Sequence, residues 1–396
     1  MNMNEQMKES EESILHTYNR FPVVFEKGQG CYLYDSEGKE YLDFAAGIAV
    51  NSLGYHYPEY DEALKDQIDK LMHISNLYYN EPIIEAGAKL VKASKMSKAF
   101  FTNSGTEAIE GALKAAKKYA YVRDGHADHE IIAMNHSFHG RSIGALSVTG
   151  TAHYREPFEP LMGGVKFADF NNLESVKAQI TDKTCAIITE VVQGEGGIYP
   201  AKKEFLEGLR QICDEKDIML IFDEIQCGMG RTGHYFAWQA YGVQPDIMTS
   251  AKALGCGVPV GAFVLGEKAA KASLEPGDHG TTYGGNPFVC AAVSKVFDIY
   301  ENDKIIEHVQ EMTPYLEQKL DEIVAKHKCA ATRRGMGFMQ GIVIQGRPVG
   351  EVVKAALAKG LLVISAGSDV LRIVPPLVIT KEHIDKMAAI LDECME

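Results

Sequence analysis

Two apolar runs in the middle of the chain each end close to a residue that can take part in catalysis. Residues 218–222 are apolar throughout and lead directly into Asp223, and the run at 247–249 is followed shortly by Lys252. Uninterrupted apolar runs of this kind are typical of strands that are buried on both faces of a parallel sheet. Because ligands bind at the carboxyl edge of such sheets, we expect the carboxylate and the amine to share one site.

This pair of groups matches the needs of one cofactor. A lysine amine forms a Schiff base with an aldehyde, and a carboxylate can keep the nitrogen of a pyridine ring protonated. Pyridoxal phosphate carries both an aldehyde and a pyridine nitrogen. The sequence therefore predicts that Asp223 and Lys252 serve a pyridoxal phosphate site.

Two further segments follow predicted strands and could complete such a site. Residues 100–108 run from a strand through a turn of small residues into a helix, whose free N–H groups attract an anion. Gly105 would let a phosphate approach closely, and the alternative is an ordinary helix cap formed by Ser104. Phe138 could cover a flat ring, and Arg141 could bind a carboxylate through two parallel hydrogen bonds.

Two glutamates and one arginine are further candidates. Glu190 lies at the end of the strand predicted from the apolar run at 186–189, and Glu195 lies in the glycine-rich loop that follows. Arg372 interrupts the apolar run at 370–374, and an arginine in such a position is seldom unpaired. We expect one of the two glutamates to be its partner. The loop at 279–287 is rich in glycine and hydroxyl groups, so it could bind a phosphate or simply link two domains.

Two other functions, metal binding and dinucleotide binding, compete with this interpretation. A metal site could be built from His126, Asp128, His129, His136 and His139. Their spacing fits no known ligand pattern, so no metal is expected. The stretch 228–233 matches the GxGxxG pattern of dinucleotide-binding enzymes, but it begins several residues after its strand ends. The acidic residue that should follow at a distance of about 20 positions is also missing, because Asp246 is too close.

The composition limits the class of protein. Of the 396 residues, 46% are hydrophobic and 24% are charged, which is ordinary for a globular protein, and the length predicts at least two domains. The net charge of −14 argues against nucleic acid as a partner. We expect neither a signal peptide nor a membrane span, and the eight cysteines form no CxxC pair. These features predict a cytoplasmic protein with reduced thiols.

The hydrophobic pattern indicates which elements position the candidate residues. Short apolar runs recur between 99 and 265 with helical stretches between most of them, which predicts a doubly wound α/β domain. In about the last 100 residues the pattern is different: it predicts a long charged helix, then short apolar runs and a final helix. This is typical of a smaller α+β domain. A β-hairpin is predicted over 31–44, and residues 1–12 are expected to be frayed.

Taken together, these motifs resemble the class III, or ornithine-type, aminotransferases of fold type I, and within them the acetylornithine branch. The shared motifs occur in order at 104–108, 193–197, 223–226, 230–233, 252 and 281–287. The resemblance implies a large, mostly parallel-sheet cofactor domain at 51–287. It also implies a small α+β domain formed by 288–396 together with the N-terminal segment 1–50. In that family the cofactor is pyridoxal phosphate and the active sites of a homodimer lie at the subunit interface.

The resemblance implies a role for each matching residue. Lys252 would bind the cofactor covalently and move the proton during catalysis, and Asp223 would bind the pyridine nitrogen. Further cofactor contacts are implied for Gly105, Thr106, Phe138, Glu224, Ile225, Gln226 and, from the other subunit, Thr282. Substrate contacts are implied for Tyr18, Arg141, Glu190, Glu195, Thr281 and Arg372. Glu195 would cover Arg372 until 2-oxoglutarate arrives and needs a second carboxylate clamp.

The implied reaction is transfer of the δ-amino group of N-acetylornithine to 2-oxoglutarate, in arginine biosynthesis. The absence of a tyrosine near Gly47 fits a donor whose α-amine is acylated. Ornithine, 4-aminobutyrate, succinylornithine and N-succinyl-diaminopimelate are alternative donors, and an aminomutase or a decarboxylase is the alternative from another class. The predicted pair of Glu195 and Arg372 favours a transaminase, because only a two-substrate enzyme needs a switchable carboxylate clamp. Three residues depart from the family pattern, namely Val191, Cys227 and Cys256.

Overall fold

The structure is a computed structural model that describes residues 2–396, and the described chain contains 17 strands and 15 α-helices. The strands are β1 (Phe25–Gln29), β2 (Tyr32–Asp35), β3 (Glu40–Asp43), β4 (Lys98–Thr102), β5 (Glu130–Met134), β6 (Val165–Ala168), β7 (Thr184–Glu190), β8 (Val192–Gln193), β9 (Tyr199–Pro200), β10 (Met219–Asp223), β11 (Ile247–Ser250), β12 (Gly261–Leu265), β13 (Ala330–Met336), β14 (Met339–Ile344), β15 (Leu361–Leu362), β16 (Ile364–Ala366) and β17 (Val370–Ile373). The helices are α1 (Met3–Ser13), α2 (Ala46–Ala49), α3 (Pro58–Lys70), α4 (Glu81–Ser94), α5 (Gly105–Asp124), α6 (Ile143–Ser147), α7 (Ala152–Arg155), α8 (Leu173–Gln179), α9 (Lys203–Glu215), α10 (Trp238–Tyr241), α11 (Glu267–Lys271), α12 (Pro287–Asn302), α13 (Ile305–Lys326), α14 (Val349–Ala358) and α15 (Lys381–Met395).

The central sheet has seven strands in the order β4–β12–β11–β10–β7–β5–β6. Strand β12 is antiparallel to both of its neighbours, whereas the pairs from β11 to β6 are all parallel. The sheet is therefore mostly parallel, as the sequence predicted. Its carboxyl edge collects the ends of β5, β7, β10 and β11, and this edge is where a ligand is expected.

Helices cover both faces of this sheet, and strand β10 illustrates why. Met219 and Ile221 point to the face that packs against α5, and both are fully buried. Leu220 and Phe222 point to the opposite face, where they share a core with residues of α9. Because successive side chains of a strand alternate between faces, a strand that is covered on both sides must be apolar at every position. The uninterrupted apolar run that precedes Asp223 is thereby explained.

Two four-stranded sheets and the short antiparallel pair of β8 with β9 complete the fold. One has the order β1–β2–β3–β15, in which Leu361 of β15 pairs in parallel with Leu42 of β3, so this sheet joins the N-terminal segment to the C-terminal part. The other has the order β13–β14–β17–β16 and carries Arg372 on β17. The antiparallel pairing of β2 with β3 confirms the predicted hairpin. The domain limits given above stay a prediction.

The N-terminal residues differ from the expectation. Residues 1–12 were expected to be frayed, but Met3–Ser13 forms helix α1. The Asn2 side chain accepts a hydrogen bond from the backbone N–H of Glu5, and the Glu5 carboxylate accepts one from the N–H of Asn2, each at 2.9 Å. No residue of this helix is buried. A capping box therefore starts the helix, a local signal that a search for an apolar face does not detect.

A left-handed turn lies between β3 and α3. The four residues of α2 all have positive φ, including Ala46 at 47°, Ile48 at 63° and Ala49 at 63°. The Asp43 carboxylate accepts hydrogen bonds from the N–H groups of Ala45, at 2.8 Å, and of Ala46, at 2.9 Å. These bonds stabilise the start of a backbone conformation that is unfavourable for residues other than glycine.

Among the helices of residues 2–396, none is both long and apolar enough to cross a membrane.

Candidate active site

A cavity of about 510 Å³ lies at the carboxyl edge of the central sheet. The predicted site residues that line it are Gly105, Thr106, Phe138, Arg141, Glu190, Glu195, Asp223, Ile225, Gln226 and Lys252. They come from segments that are far apart in the chain and follow different strands. The structure therefore brings most of the predicted site residues into one place.

Five other predicted residues lie outside this lining, and one of them, Arg372, contacts the lining residue Glu195. Tyr18 is 72% exposed in the N-terminal segment, and Thr282 lies exposed in the loop after α11. Thr281 reaches the cavity only indirectly, because its hydroxyl accepts a hydrogen bond from the Asn103 side chain at 3.2 Å. Glu224 is fully buried and points away from the cavity.

The position of Glu224 follows from the geometry of the strand end. Asp223 faces the cavity, and the next residue of an extended chain points the other way. The Glu224 carboxylate accepts hydrogen bonds from the N–H groups of Ala237 and Trp238, both at 2.8 Å, at the start of α10. Burial raises the pKa of Glu224 to about 7, although these bonds oppose the shift. Its side chain thus anchors α10 and does not line the cavity.

Asp223 is held in place by three hydrogen bonds. Its Oδ2 lies 2.8 Å from Nδ1 of His139, and its Oδ1 accepts bonds from the Thr249 hydroxyl, at 3.2 Å, and from the Ile225 N–H, at 3.0 Å. All the side chains in this arrangement except that of Ile225 are buried. A carboxylate with fixed neighbours on both oxygens can present a constant orientation to a ligand. The sequence had suggested His139 only as a metal ligand, and it had not suggested Thr249.

Lys252 lies just beyond β11 and reaches the same cavity. It starts a 3-10 turn, Lys252–Leu254, and has a positive φ of 49°. Burial lowers the pKa of Lys252 to about 8, and Arg372 acts in the same direction, while Glu195 and Asp223 oppose the shift. Part of the amine is therefore unprotonated near neutral pH, and an unprotonated amine can attack an aldehyde.

The start of α5 forms one wall of the cavity. The Ser104 side chain accepts a hydrogen bond from the N–H of Glu107 at 3.3 Å, which caps this 20-residue helix. A Cβ atom on Gly105 would lie 2.9 Å from the Ile225 side chain, so glycine keeps this corner open. The Thr106 hydroxyl is 2.7 Å from that of Ser142. Free N–H groups at a helix start attract an anion such as a phosphate.

A buried ion pair closes another side of the cavity. Both outer nitrogens of Arg372 contact the Glu195 carboxylate, the second at 3.3 Å. Gln226 joins the pair, because its Oε1 accepts a bond from Arg372 at 3.1 Å and its Nε2 donates one to Glu195 at 3.3 Å. Burial acts to raise the pKa of Glu195, but the guanidinium outweighs this effect and holds the pKa below its usual range. The pair predicted from the sequence is therefore Glu195 with Arg372.

Glu190 connects two parts of the lining. Its carboxylate accepts hydrogen bonds from the N–H of Phe138, at 3.1 Å, and from that of Gly194, at 2.9 Å. Burial raises the pKa of Glu190 to about 7. The residue therefore fixes the segment that carries Phe138 against the loop that carries Glu195.

The histidines of the competing metal motif are divided, because His139 lines the cavity whereas His126 and His129 lie beside Asp124. Asp124, His126 and His129 have side-chain ligand atoms within 4.8 Å of one another, but Asp124 is already bound by Arg123 and His129. The loop 228–233 inserts Arg231, which is 1% exposed, against the carbonyls of Phe338 and Pro375. The glycine-rich loop thus contacts the segments beside β14 and β17. It adjoins neither β10 nor α10, so it is not the tight strand-to-helix turn of a dinucleotide-binding motif.

The donor set of the cavity fits pyridoxal phosphate. A buried carboxylate and a lysine amine of lowered pKa face the same space, as a pyridine nitrogen and an aldehyde require. The helix start at Gly105 suits the phosphate, and the Phe138 ring is available to cover the pyridine. At Gly140 a Cβ atom would lie 2.3 Å from the Thr106 hydroxyl, which shows how closely this wall is packed.

Comparison with known proteins agrees with this chemistry. The profile of the family described as "Aminotransferase class-III" matches residues 14–395. The acetylornithine aminotransferase of Clostridium acetobutylicum is 47% identical over 388 residues, which is 98% of this chain and 100% of that protein. The succinylornithine transaminase of Yersinia pseudotuberculosis is 44% identical over 385 residues, which is 94% of this chain and 92% of that protein. The crystal structure of the ornithine aminotransferase from Toxoplasma gondii superposes with a TM-score of 0.95 at 28% identity, covering 100% of this chain and 95% of that one.

Proposed function

Since the chain belongs to the class-III aminotransferases, we propose that it transfers the δ-amino group of N2-acetyl-L-ornithine to 2-oxoglutarate, which yields N-acetylglutamate 5-semialdehyde and glutamate. The protein is a pyridoxal phosphate-dependent transaminase. The similarity to acetylornithine aminotransferases over nearly the whole chain supports this donor, and the reaction belongs to arginine biosynthesis.

Bound pyridoxal phosphate supplies an aldehyde that accepts the amino group and a ring that withdraws electrons. Asp223 would hold a proton on the pyridine nitrogen, and its contacts with His139 and Thr249 keep the carboxylate in place for this task. Lys252 would use Nζ to take the proton from the amine-bearing carbon of the donor, and it would hold that proton for return on the other side of the transferred nitrogen. Its lowered pKa makes the amine a suitable base near neutral pH.

The observation that carries the transaminase mechanism is the ion pair of Arg372 with Glu195 beside Lys252. A transaminase must accept an amino donor and then a dicarboxylate in the same cavity. With Glu195 in place, Arg372 is neutralised and a donor with a distal amine can enter. When 2-oxoglutarate binds, Glu195 turns away and Arg372 binds the carboxylate next to the keto group, while Arg141 binds the carboxylate at the far end.

The remaining site residues take lesser roles in this proposal. Gly105 and Thr106 would hold the phosphate, Phe138 and Ile225 would bind the ring, and Gln226 would interact with its phenolic oxygen. Tyr18, Thr281 and Glu190 act on the substrate side. Glu224 acts through the α10 anchor described above.

We also propose a homodimer with the active sites at the interface. The segment before α4 exposes large apolar side chains, including Leu77 at 88% and Tyr79 at 95%. Tyr283 is exposed next to it and packs against His73, with ring centroids 5.2 Å apart. Exposed apolar side chains grouped in this way are typical of interfaces. In such a dimer Thr282 of one subunit would reach the phosphate in the other.

The cell compartment is part of the same proposal. All eight cysteines are free, as expected for a protein of the reducing cytoplasm. The net charge of −14 supports small molecules rather than nucleic acid as partners.

A panel of amino donors with 2-oxoglutarate as acceptor tests the reaction. We expect the highest kcat/KM for N2-acetylornithine, at least about tenfold above ornithine, because residues 43–51 contain no tyrosine that could bind a charged α-amine. N2-succinylornithine is the second candidate, since a succinylornithine transaminase is among the relatives. A higher kcat/KM with N2-succinylornithine, or with 4-aminobutyrate or N-succinyl-diaminopimelate, would contradict the proposed donor.

A further inference from the structure

The exposed arginine of the cavity lies between two aromatic rings. The guanidinium carbon of Arg141 is 3.9 Å from the centre of the Tyr154 ring and 5.3 Å from that of Phe138. The two rings meet edge to face, with centroids 6.0 Å apart and planes at 85°. Arg141 therefore packs against Tyr154 on one side and remains open to the cavity on the other.

This packing determines which part of the guanidinium is free. A guanidinium that lies over a ring is attracted by the negative face of the ring, and its N–H groups point outward in its own plane. A carboxylate binds in that plane through two parallel hydrogen bonds. The Tyr154 ring therefore leaves the carboxylate-binding edge of Arg141 available, and it restricts a long side chain that would otherwise sample many rotamers.

Tyr154 itself is firmly attached to the fold. It lies in α7, and Gly150, two residues before this helix, donates its N–H to the Ser137 hydroxyl at 2.9 Å. The following residue, Arg155, packs over the ring of Phe167 in β6 with its guanidinium carbon 4.1 Å from the ring centre. Contacts on both sides of Tyr154 in the chain thus hold the backbone that carries its ring.

We propose that Tyr154 is a positioning residue for the substrate carboxylate. Its ring orients Arg141 so that the arginine binds the carboxylate of an amine donor at the end remote from the reacting amine. The inference rests on the proposed function, in which Arg141 binds this carboxylate. It adds a selection rule: Tyr154 favours donors that carry a distal carboxylate and has no influence on donors without one.

The test compares two donors that differ only in that carboxylate. N2-acetylornithine carries it, and N-acetylputrescine is the same molecule without it. Single-turnover absorbance changes of the holoenzyme give the half-saturating concentration of each donor. In Tyr154→Leu we expect this concentration to rise by about 3- to 30-fold for N2-acetylornithine, the scale of a cation–π contact, and to be unchanged for N-acetylputrescine.

Two control variants and an equilibrium measurement accompany this comparison. Tyr154→Phe keeps the ring face, so its half-saturating concentrations should stay within about twofold of the wild type. Phe158→Leu changes an exposed aromatic residue shortly after α7 and should have no effect. The dissociation constant of N2-acetylnorvaline, which has the carboxylate but no amine to react, is measured by calorimetry and should rise in Tyr154→Leu only.

The outcomes separate the inference from the proposed function. Equal losses for both donors in Tyr154→Leu would mean that the residue merely supports the fold, and an unchanged N2-acetylornithine value would mean that Arg141 needs no positioning. Either result overturns the inference. Arg141→Ala tests the underlying role independently: if it leaves N2-acetylornithine binding unaltered, Arg141 is not the carboxylate clamp and that part of the proposed function fails first.

Discussion

His139 Nδ1 lies 2.8 Å from Asp223 Oδ2, and both side chains are buried at the carboxyl edge of the central sheet. Within residues 2–396 the other ring nitrogen of His139 has no hydrogen-bond partner. The ring of His139 therefore makes one hydrogen bond, with the carboxylate that is proposed to bind the pyridine nitrogen. This contact connects the Phe138–Arg141 segment to strand β10.

Asp223→Asn should remove most of the turnover. A neutral amide cannot hold the proton on the pyridine nitrogen. We therefore expect kcat to fall by several orders of magnitude, which is roughly the loss when an enzyme is deprived of its main electrostatic contact to the reacting group. The measurement is kcat at full cofactor occupancy, checked by absorbance. Glu224→Gln is the matched control, because this neighbouring carboxylate points away from the cavity. Near-normal turnover in Asp223→Asn would disprove the assigned role.

His139→Gln should cause a smaller loss. The variant removes the ring that orients the Asp223 carboxylate but leaves that carboxylate in place. A hydrogen bond to a charged group contributes about 1.5–3 kcal/mol, so we expect kcat to fall roughly 10- to 100-fold. The cofactor absorbance spectrum, which responds to the protonation of the ring, should also change. A lowered melting temperature with an unchanged kcat and spectrum would indicate a structural role only.

Arg372→Ala should separate the two half-reactions. The 2-oxoglutarate half loses a carboxylate clamp, which corresponds to about 2–5 kcal/mol, while conversion by the amino donor stays largely intact. Glu195→Gln is the complementary variant: an uncovered Arg372 should bind 2-oxoglutarate at least as well and handle distal-amine donors less well. Single-turnover absorbance on each half-reaction measures both effects. Equal slowing of the two halves by Arg372→Ala would make the residue structural and the switch wrong.

The lowered pKa of Lys252 predicts how cofactor uptake depends on pH. Only the unprotonated amine attacks the aldehyde, and burial lowers the pKa of Lys252 from that of a free lysine to about 8. Uptake of pyridoxal phosphate by the apoenzyme should therefore accelerate as the pH rises and level off above about pH 8 instead of continuing to rise to pH 10. The rate of appearance of the yellow colour gives this profile. Lys252→Ala should lack the absorbance band of the Schiff base with the enzyme, and a variant that keeps this band would contradict the cofactor link.

The left-handed turn of α2 predicts an unusual stability effect. Ile48 and Ile68 are both about half exposed, but Ile48 has a φ of 63° whereas Ile68 lies inside α3. Glycine relieves the left-handed strain at the first position and weakens the helix at the second. Ile48→Gly should therefore retain about 1–2 kcal/mol more stability than Ile68→Gly in urea unfolding. Equal losses would show that the turn is not strained.

Much of this protein could be predicted from the sequence because its signals are local. The run of apolar residues before Asp223 indicates a strand buried on both faces, and the position of that acid at the strand end follows from the run alone. The same reasoning places Lys252 and Glu190. The family resemblance depends on the order of these residues and the glycine-rich loops along the chain. The position of Arg372 in an apolar run predicts that a carboxylate pairs with it.

Other features depended on contacts between distant parts of the chain. No periodicity indicates that His139 meets Asp223, that Glu190 ties Phe138 to the loop of Glu195, or that Tyr154 lies against Arg141. Glu224 was expected at the cofactor because it follows Asp223, but the alternation of side chains turns it toward α10. Local pattern specifies which face of an element is buried. The side chain that a residue meets on that face is decided by how the elements pack, and for this reason only the tertiary structure determined it.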